Sequence, residues 1–261
     1  MPSFYKDRRA ASLYLASVLG TKEFPFPKDV DIVARWINIA TSSNPSAVVL
    51  DFFGGTGTTA ESVMRLNAAD GGRRQSIVVT NNELSRKTAD ALSRQQILPG
   101  HPDWEAEGIF EKITKPRITT IVTGERTDGS IFSEGHDENV AFFQLTYEDE
   151  NLVALGKKFD AISSLLWLRA GGRGEVVQRD EAAGWALPGS AIYGVLFDVA
   201  KSREFADAVE AREAELTQLY IVADSESAFQ AAVAYLPAEH RLKTARLYSD
   251  YLHSFEINGR N

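Results

Sequence analysis

Nine consecutive residues, Asp51-Phe52-Phe53-Gly54-Gly55-Thr56-Gly57-Thr58-Thr59, hold the densest chemical signal in the chain. Gly54, Gly55 and Gly57 let a backbone turn sharply and approach a ligand with no Cβ in the way. A helix beginning near Thr58 would aim free N–H groups and partial positive charge at that turn, which suits a ligand carboxylate. Two further residues bear on the same chemistry. Glu83 follows the apolar run SIVVTNN (residues 76–82), and a carboxylate at the end of such a strand can accept hydrogen bonds from ribose hydroxyls. It can equally cap the helix behind it. Lys28, in FPFPK (residues 24–28), precedes a helix that leads into the glycine segment; alone it reads as an ordinary surface lysine. The loop lacks GxGxxG spacing and no Lys-Ser/Thr follows it, so dinucleotide and P-loop chemistry are the weaker readings.

The elements that must position these residues follow from local patterns. Residues 8–19 read as a helix ended by Gly20. Two alternate prolines force residues 24–28 to be extended. Asp29 caps a helix whose apolar residues Val30, Val33, Trp36, Ile37 and Ala40 recur at spacings of three and four. AVVLDFF (residues 47–53) suits a buried parallel strand. A helix over residues 58–67 follows, with Thr58 and Glu61 at capping-box spacing, then a second buried strand and a helix over residues 85–95. This strand–helix–strand–helix order is the unit of a doubly wound parallel sheet. After a loop at residues 99–103, residues 105–124 read as mostly helical around Pro116, and residues 125–139 as a polar, mobile linker.

A second module starts near Val140 with strand-like VAFFQLTY and an amphipathic helix over residues 152–168. Strands IYGVLFD (192–198) and LYIVAD (219–224) then alternate with helices over 202–215 and 225–236, before the terminal ARLYSDYLHSFEI. That is a second small α/β unit. It has no glycine-rich loop after either strand, which argues against a second nucleotide site.

Composition narrows the class. With 44% hydrophobic and 25% charged residues the chain is an ordinary globular protein. It has no cysteine, and its four histidines show no ligand spacing, so a metal site is not expected. Apolar runs are too short for a bilayer and the N-terminus lacks a signal-peptide pattern, so a cytoplasmic protein is expected. The net charge of −8 is uneven. Residues 1–124 hold 15 basic and 13 acidic residues, the remainder 13 and 23. DNA phosphates need cations, so any DNA contact is expected through the first half or another chain.

In order and spacing, Pro27-Lys28, Asp51–Thr59 and Glu83 behind Asn81-Asn82 resemble the cofactor half of the β-type DNA amino-methyltransferases. The nearest likeness is to the modification subunits of type III restriction systems and related adenine-specific methylases. GIFEKITKPRITTIVTG (residues 108–124) and the C-terminal module resemble members of the same family. The resemblance implies a Rossmann-like, doubly wound methyltransferase sheet, present in part, that binds S-adenosylmethionine. Lys28 and the Gly54–Thr59 loop would hold the methionine moiety, Glu83 with Asn82 the ribose edge, and Phe53 a pocket wall; Asp51 and Phe52 open the motif. Asp29 stands where the family has a small residue or proline.

Such enzymes flip the base out and hold its amine with a motif of the form [DNS]-P-P-[YFW]. None of the nine prolines here is adjacent to another, so the motif is absent. In β-type enzymes it precedes the glycine motif, and only 50 residues precede Asp51. The expectation is a C-terminal methylase portion that needs a catalytic half, or another restriction-modification subunit, from a second polypeptide and meets DNA through that complex. The alternative is a catalytically inactive S-adenosylmethionine-binding or scaffold protein derived from one.

Overall fold

The structure is a computed structural model that describes residues 8–22, 24, 26–145, 159–179, 182–212, 216–237 and 242–247. It is mixed α/β, with two small sheets in two units, Met1–Phe142 and Phe143–Asn261.

In the first unit, α1 (Arg8–Leu19) ends at Gly20, whose φ of +77° stops the helix as the sequence indicates. Asp29 caps α2 (Val30–Thr41), its Oδ1 accepting from the N–H groups of Asp31 at 2.9 Å and Ile32 at 3.2 Å. Strand β1 (Val48–Asp51) leads through the glycine loop into α3 (Thr58–Asp70), and β2 (Gln75–Val78) returns parallel to β1, pairing Asp51 with Val78. Helix α4 (Arg86–Arg94) follows, its cap supplied by Ser85.

The strands are less buried than their apolar sequences suggest. Val48, Leu50 and Ile77 remain 57%, 53% and 43% exposed. Alternation turns Val78 inward, against the cluster of Val18, Ala60, Met64, Ile118 and Ile121. The opposite face of this two-stranded pair carries the exposed apolar residues.

Residues 99–124 depart from a loop followed by one helix. Pro102 begins a short helix, α5 (Pro102–Ala106). A π-helical turn, Phe110–Thr114, then feeds α6 (Lys115–Thr123). Pro116 sits in the first turn of α6, and having no N–H it interrupts the regular ladder there. Residues 125–139 fold back on the unit: Arg126 donates to Ser17 O at 2.7 Å, Phe132 joins the core cluster, and Asn67 Nδ2 donates to Glu138 Oε1 at 3.1 Å.

In the second unit the sheet order is β3-β4-β5-β6, with β3 (Trp185–Ala186) antiparallel to β4 (Tyr193–Leu196). Strands β4, β5 (Gln218–Val222) and β6 (Lys243–Leu247) are mutually parallel. Alternation along the strands builds two apolar layers. Tyr193, Val195 and Tyr220 pack on α7 (Phe159–Ala170). Leu196, Leu219 and Ile221 pack instead on α8 (Ser202–Glu210) and α9 (Glu226–Val233). This is the small α/β unit expected from the sequence. Residues 140–145 form no strand, and residues 146–158 and the segment after Leu247 lie outside the described residues.

Candidate functional site

Parallel pairing brings the C-terminal ends of β1 and β2 to the same edge. Val79 N donates to Asp51 O at 2.7 Å and Gly54 N to Val79 O at 3.1 Å, so the glycine loop leaves the sheet beside residues 80–83. Crevices at that edge are where open α/β sheets bind ligands.

The three loop glycines serve different ends. A Cβ on Gly54 would lie 2.0 Å from Val78 Cγ1, so the missing side chain makes room for β2. At Gly57, with φ +77°, a Cβ would meet Ile118 of α6 at 3.0 Å. At Gly55 a Cβ would meet little. The φ there is +49°, and the nearest atom to a Cβ would be Phe53 O at 3.8 Å. Packing therefore constrains Gly54 and Gly57, which the sequence assigned with Gly55 to sharp turning and ligand approach.

Asp51 braces the loop from its start. Its Oδ1 accepts from Phe53 N at 3.0 Å, and its Oδ2 from Thr59 Oγ1 at 2.6 Å, tying the strand end to the first turn of α3. Phe52 and Phe53 face outward, 63% and 93% exposed. The capping box at Thr58 and Glu61 does not form. Gly57 is the cap position and gives no side-chain bond to the first-turn N–H groups of α3. Ser62 Oγ donates to Val30 O at 3.0 Å, which seats the start of α2 on α3. Lys28, two residues earlier, is exposed and forms no ion pair with a described residue.

Glu61 is fully buried because it has a different task. Its Oε2 accepts from Arg117 Nε at 2.9 Å and Nη2 at 2.8 Å, and its Oε1 from Arg65 at 2.7 Å and Tyr14 Oη at 2.5 Å. Burial, then the charge of Glu61, pushes the Tyr14 hydroxyl well above the ordinary phenol range. Arg117, itself 1% exposed, also donates through Nη1 to Thr56 O, Thr56 Oγ1 and Thr58 Oγ1, each at 3.0 Å. Thr114 Oγ1 donates to Gly55 O. Sequence reasoning missed Arg117 and Thr114. The available signal was a lone arginine, directly after a proline, in a threonine- and isoleucine-rich helix.

Glu83 is exposed, and its Oε2 accepts from Asn81 Nδ2 at 3.1 Å. It does not cap α4, since Ser85 does, so the bland reading of Glu83 falls. Asn82 is committed elsewhere. Its Nδ2 donates to Glu105 O at 2.8 Å and Glu105 Oε2 at 2.9 Å, and its Oδ1 accepts from Phe110 N and Glu111 N. Among the described residues no group of three His, Cys, Asp or Glu side chains is placed to hold a metal ion, and no helix is long and apolar enough to cross a membrane.

No family model matches the chain. Curated relatives do. The Mod subunit of the type III restriction-modification enzyme EcoPI, from Escherichia phage P1, is 41% identical over 111 residues, 42% of this chain and 15% of the relative. The type II methyltransferase M.KpnI of Klebsiella pneumoniae is 38% identical over 86 residues, 33% of this chain and 20% of the relative. The StyLTI Mod subunit of Salmonella typhimurium is 38% identical over 93 residues, 32% of this chain and 14% of the relative. These matches span a fifth or less of each relative's length.

Proposed function

We propose that this type III Mod-like, DNA-methyltransferase-like chain is the S-adenosylmethionine-binding, C-terminal part of a site-specific DNA adenine-N6 methyltransferase. It would serve a restriction-modification or phage-defence system, with the amine-binding half supplied from outside these 261 residues. Residues 1–124 are the cofactor half, on a partial Rossmann-like sheet, and residues 140–261 an interaction module. The observation that carries this reading is the shared edge of β1 and β2, where Gly55 offers an open, left-handed backbone position beside the turn that bears Glu83.

The residues present fit the cofactor. First-turn N–H groups of α3 and the exposed Lys28 suit its carboxylate. The exposed Glu83 carboxylate suits its ribose hydroxyls. S-adenosylmethionine supplies an electrophilic methyl group when bound. The target amine needs a proline-proline turn to hold it, and these 261 residues contain no such pair.

Calorimetry with S-adenosylmethionine, S-adenosylhomocysteine and NAD tests the reading. The first two are expected to bind the purified chain weakly and NAD not at all. Gly55→Val puts a branched residue at φ +49° and should abolish binding while circular dichroism stays unchanged. Equal affinity in wild type and variant refutes the assignment. Tritium transfer from labelled cofactor to unmethylated DNA should be absent for the chain alone. Transfer abolished by Gly55→Val would place the catalytic group inside these residues.

A further inference from the structure

The segment from residue 108 to 118 touches both halves of the candidate site. At one end Ile109 N donates to Glu83 O at 3.0 Å, and Asn82 Oδ1 accepts from the two N–H groups that start the π-helical turn. Gly108 is packed so closely that a Cβ there would lie 2.1 Å from Asn82 Oδ1. At the other end, Thr114 binds the carbonyl of Gly55, and Arg117 binds Thr56 and Thr58. Gly57 rests on Ile118. Two loops separated by more than twenty residues are thus held by one short segment. A π-turn is the irregularity that lets Thr114 and Arg117 face the same loop, and such turns frequently mark functional sites.

We propose that residues 108–118 act as a positioning strap that sets the geometry of the glycine loop and the Glu83 turn together, with Thr114 and Arg117 as its positioning residues. The inference rests on the cofactor reading above. Both side chains are buried at 1% exposure and act through the loop they hold. Arg117 is buried with Glu61, so replacing it by an apolar residue would strand a charge and endanger the fold. Thr114 is the cleaner probe, because valine keeps the branched outline and exchanges the donor hydroxyl for a methyl that Gly55 O must move away from.

The test uses the full chain, with calorimetry against S-adenosylmethionine and amide exchange without ligand. Thr114→Val should weaken binding about fivefold, the loss of a hydroxyl shared between Gly55 O and, at 3.2 Å, Ile109 O. It should also speed exchange at the Gly54 and Gly57 amides, which are bonded to Val79 O at 3.1 Å and Gly54 O at 2.8 Å. Thr114→Ser, which keeps the hydroxyl, should restore both. Arg117→Lys keeps the charge beside Glu61 but loses the fork that reaches Thr56 and Thr58, and should weaken binding about tenfold or more. Unchanged exchange and affinity in Thr114→Val overturn the strap. If wild type binds no S-adenosylmethionine yet Thr114→Val still loosens the loop and Thr114→Ser does not, the strap stands and the cofactor reading falls.

Discussion

Gly54→Ala should damage the site through β2, and Val78→Ala should repair it. An alanine Cβ would sit 2.0 Å from Val78 Cγ1 and 3.5 Å from Val78 Cβ. Carbon atoms settle at about 3.5–4.0 Å, so something must move. Val78 cannot retreat freely, because the next residue is pinned by Val79 N to Asp51 O at 2.7 Å and Gly54 N to Val79 O at 3.1 Å. Gly54 is not among the positive-φ glycines, so alanine suits its backbone and the clash is the whole effect. Overpacking of this kind costs about 1–3 kcal/mol. Val78→Ala alone removes two half-buried methyl groups and should cost about 1 kcal/mol. Together the two changes should cost less than their sum, with a coupling of about 1–2 kcal/mol, inside the range for residues in contact. Native-state amide exchange at Gly54 and Val79 is the suitable assay, since the chain has two units and one melting temperature would mix them. Cofactor affinity should fall in Gly54→Ala and largely return in the double variant. Strictly additive effects on stability, with affinity lost in both, would mean that Gly54 is bare for a ligand rather than for Val78.

Two further outcomes follow from the Glu83 turn. Glu83→Ala should cost about 1.5–3 kcal/mol of cofactor affinity, the range for hydrogen bonds to a charged group, and leave α4 intact because Ser85 caps it; unchanged calorimetric affinity refutes the ribose role. The Glu105 carboxyl is held below its usual range, first by the Asn82 amide and then by Gly100 N–H. A lowered folded value means that its contribution is complete above the unfolded value of about 4.3 and is lost as pH falls through the folded value. Protection of the Phe110 and Glu111 amides, relative to their intrinsic exchange at each pH, should therefore fall as pH drops below the unfolded value, and Glu105→Gln should flatten that dependence. An identical profile in wild type and Glu105→Gln would refute the link.

The chain's own order of residues determined what is local. Gly20 ending α1, Asp29 capping α2, the glycine loop between β1 and α3, and the apolar runs that become β4 and β5 all depend on neighbours within one or two turns. Such patterns are written in period and punctuation, so they can be read without the fold. What tertiary structure decided is which of those residues touch across long separations. Thr58 and Glu61 have capping-box spacing, yet Glu61 was drawn into the core because Arg117, 56 positions away, and Tyr14, 47 positions away, converge on it. A buried carboxylate needs paired cations and donors more than the helix needs a cap. Asn82 belongs to the motif by position, but its amide is spent on residues 105–111, a choice that no local pattern encodes. Gly54 and Gly57 look identical to Gly55 in the sequence. Only the arrival of Val78 from β2 and Ile118 from α6 separates the two glycines that packing requires from Gly55, which has no close neighbour.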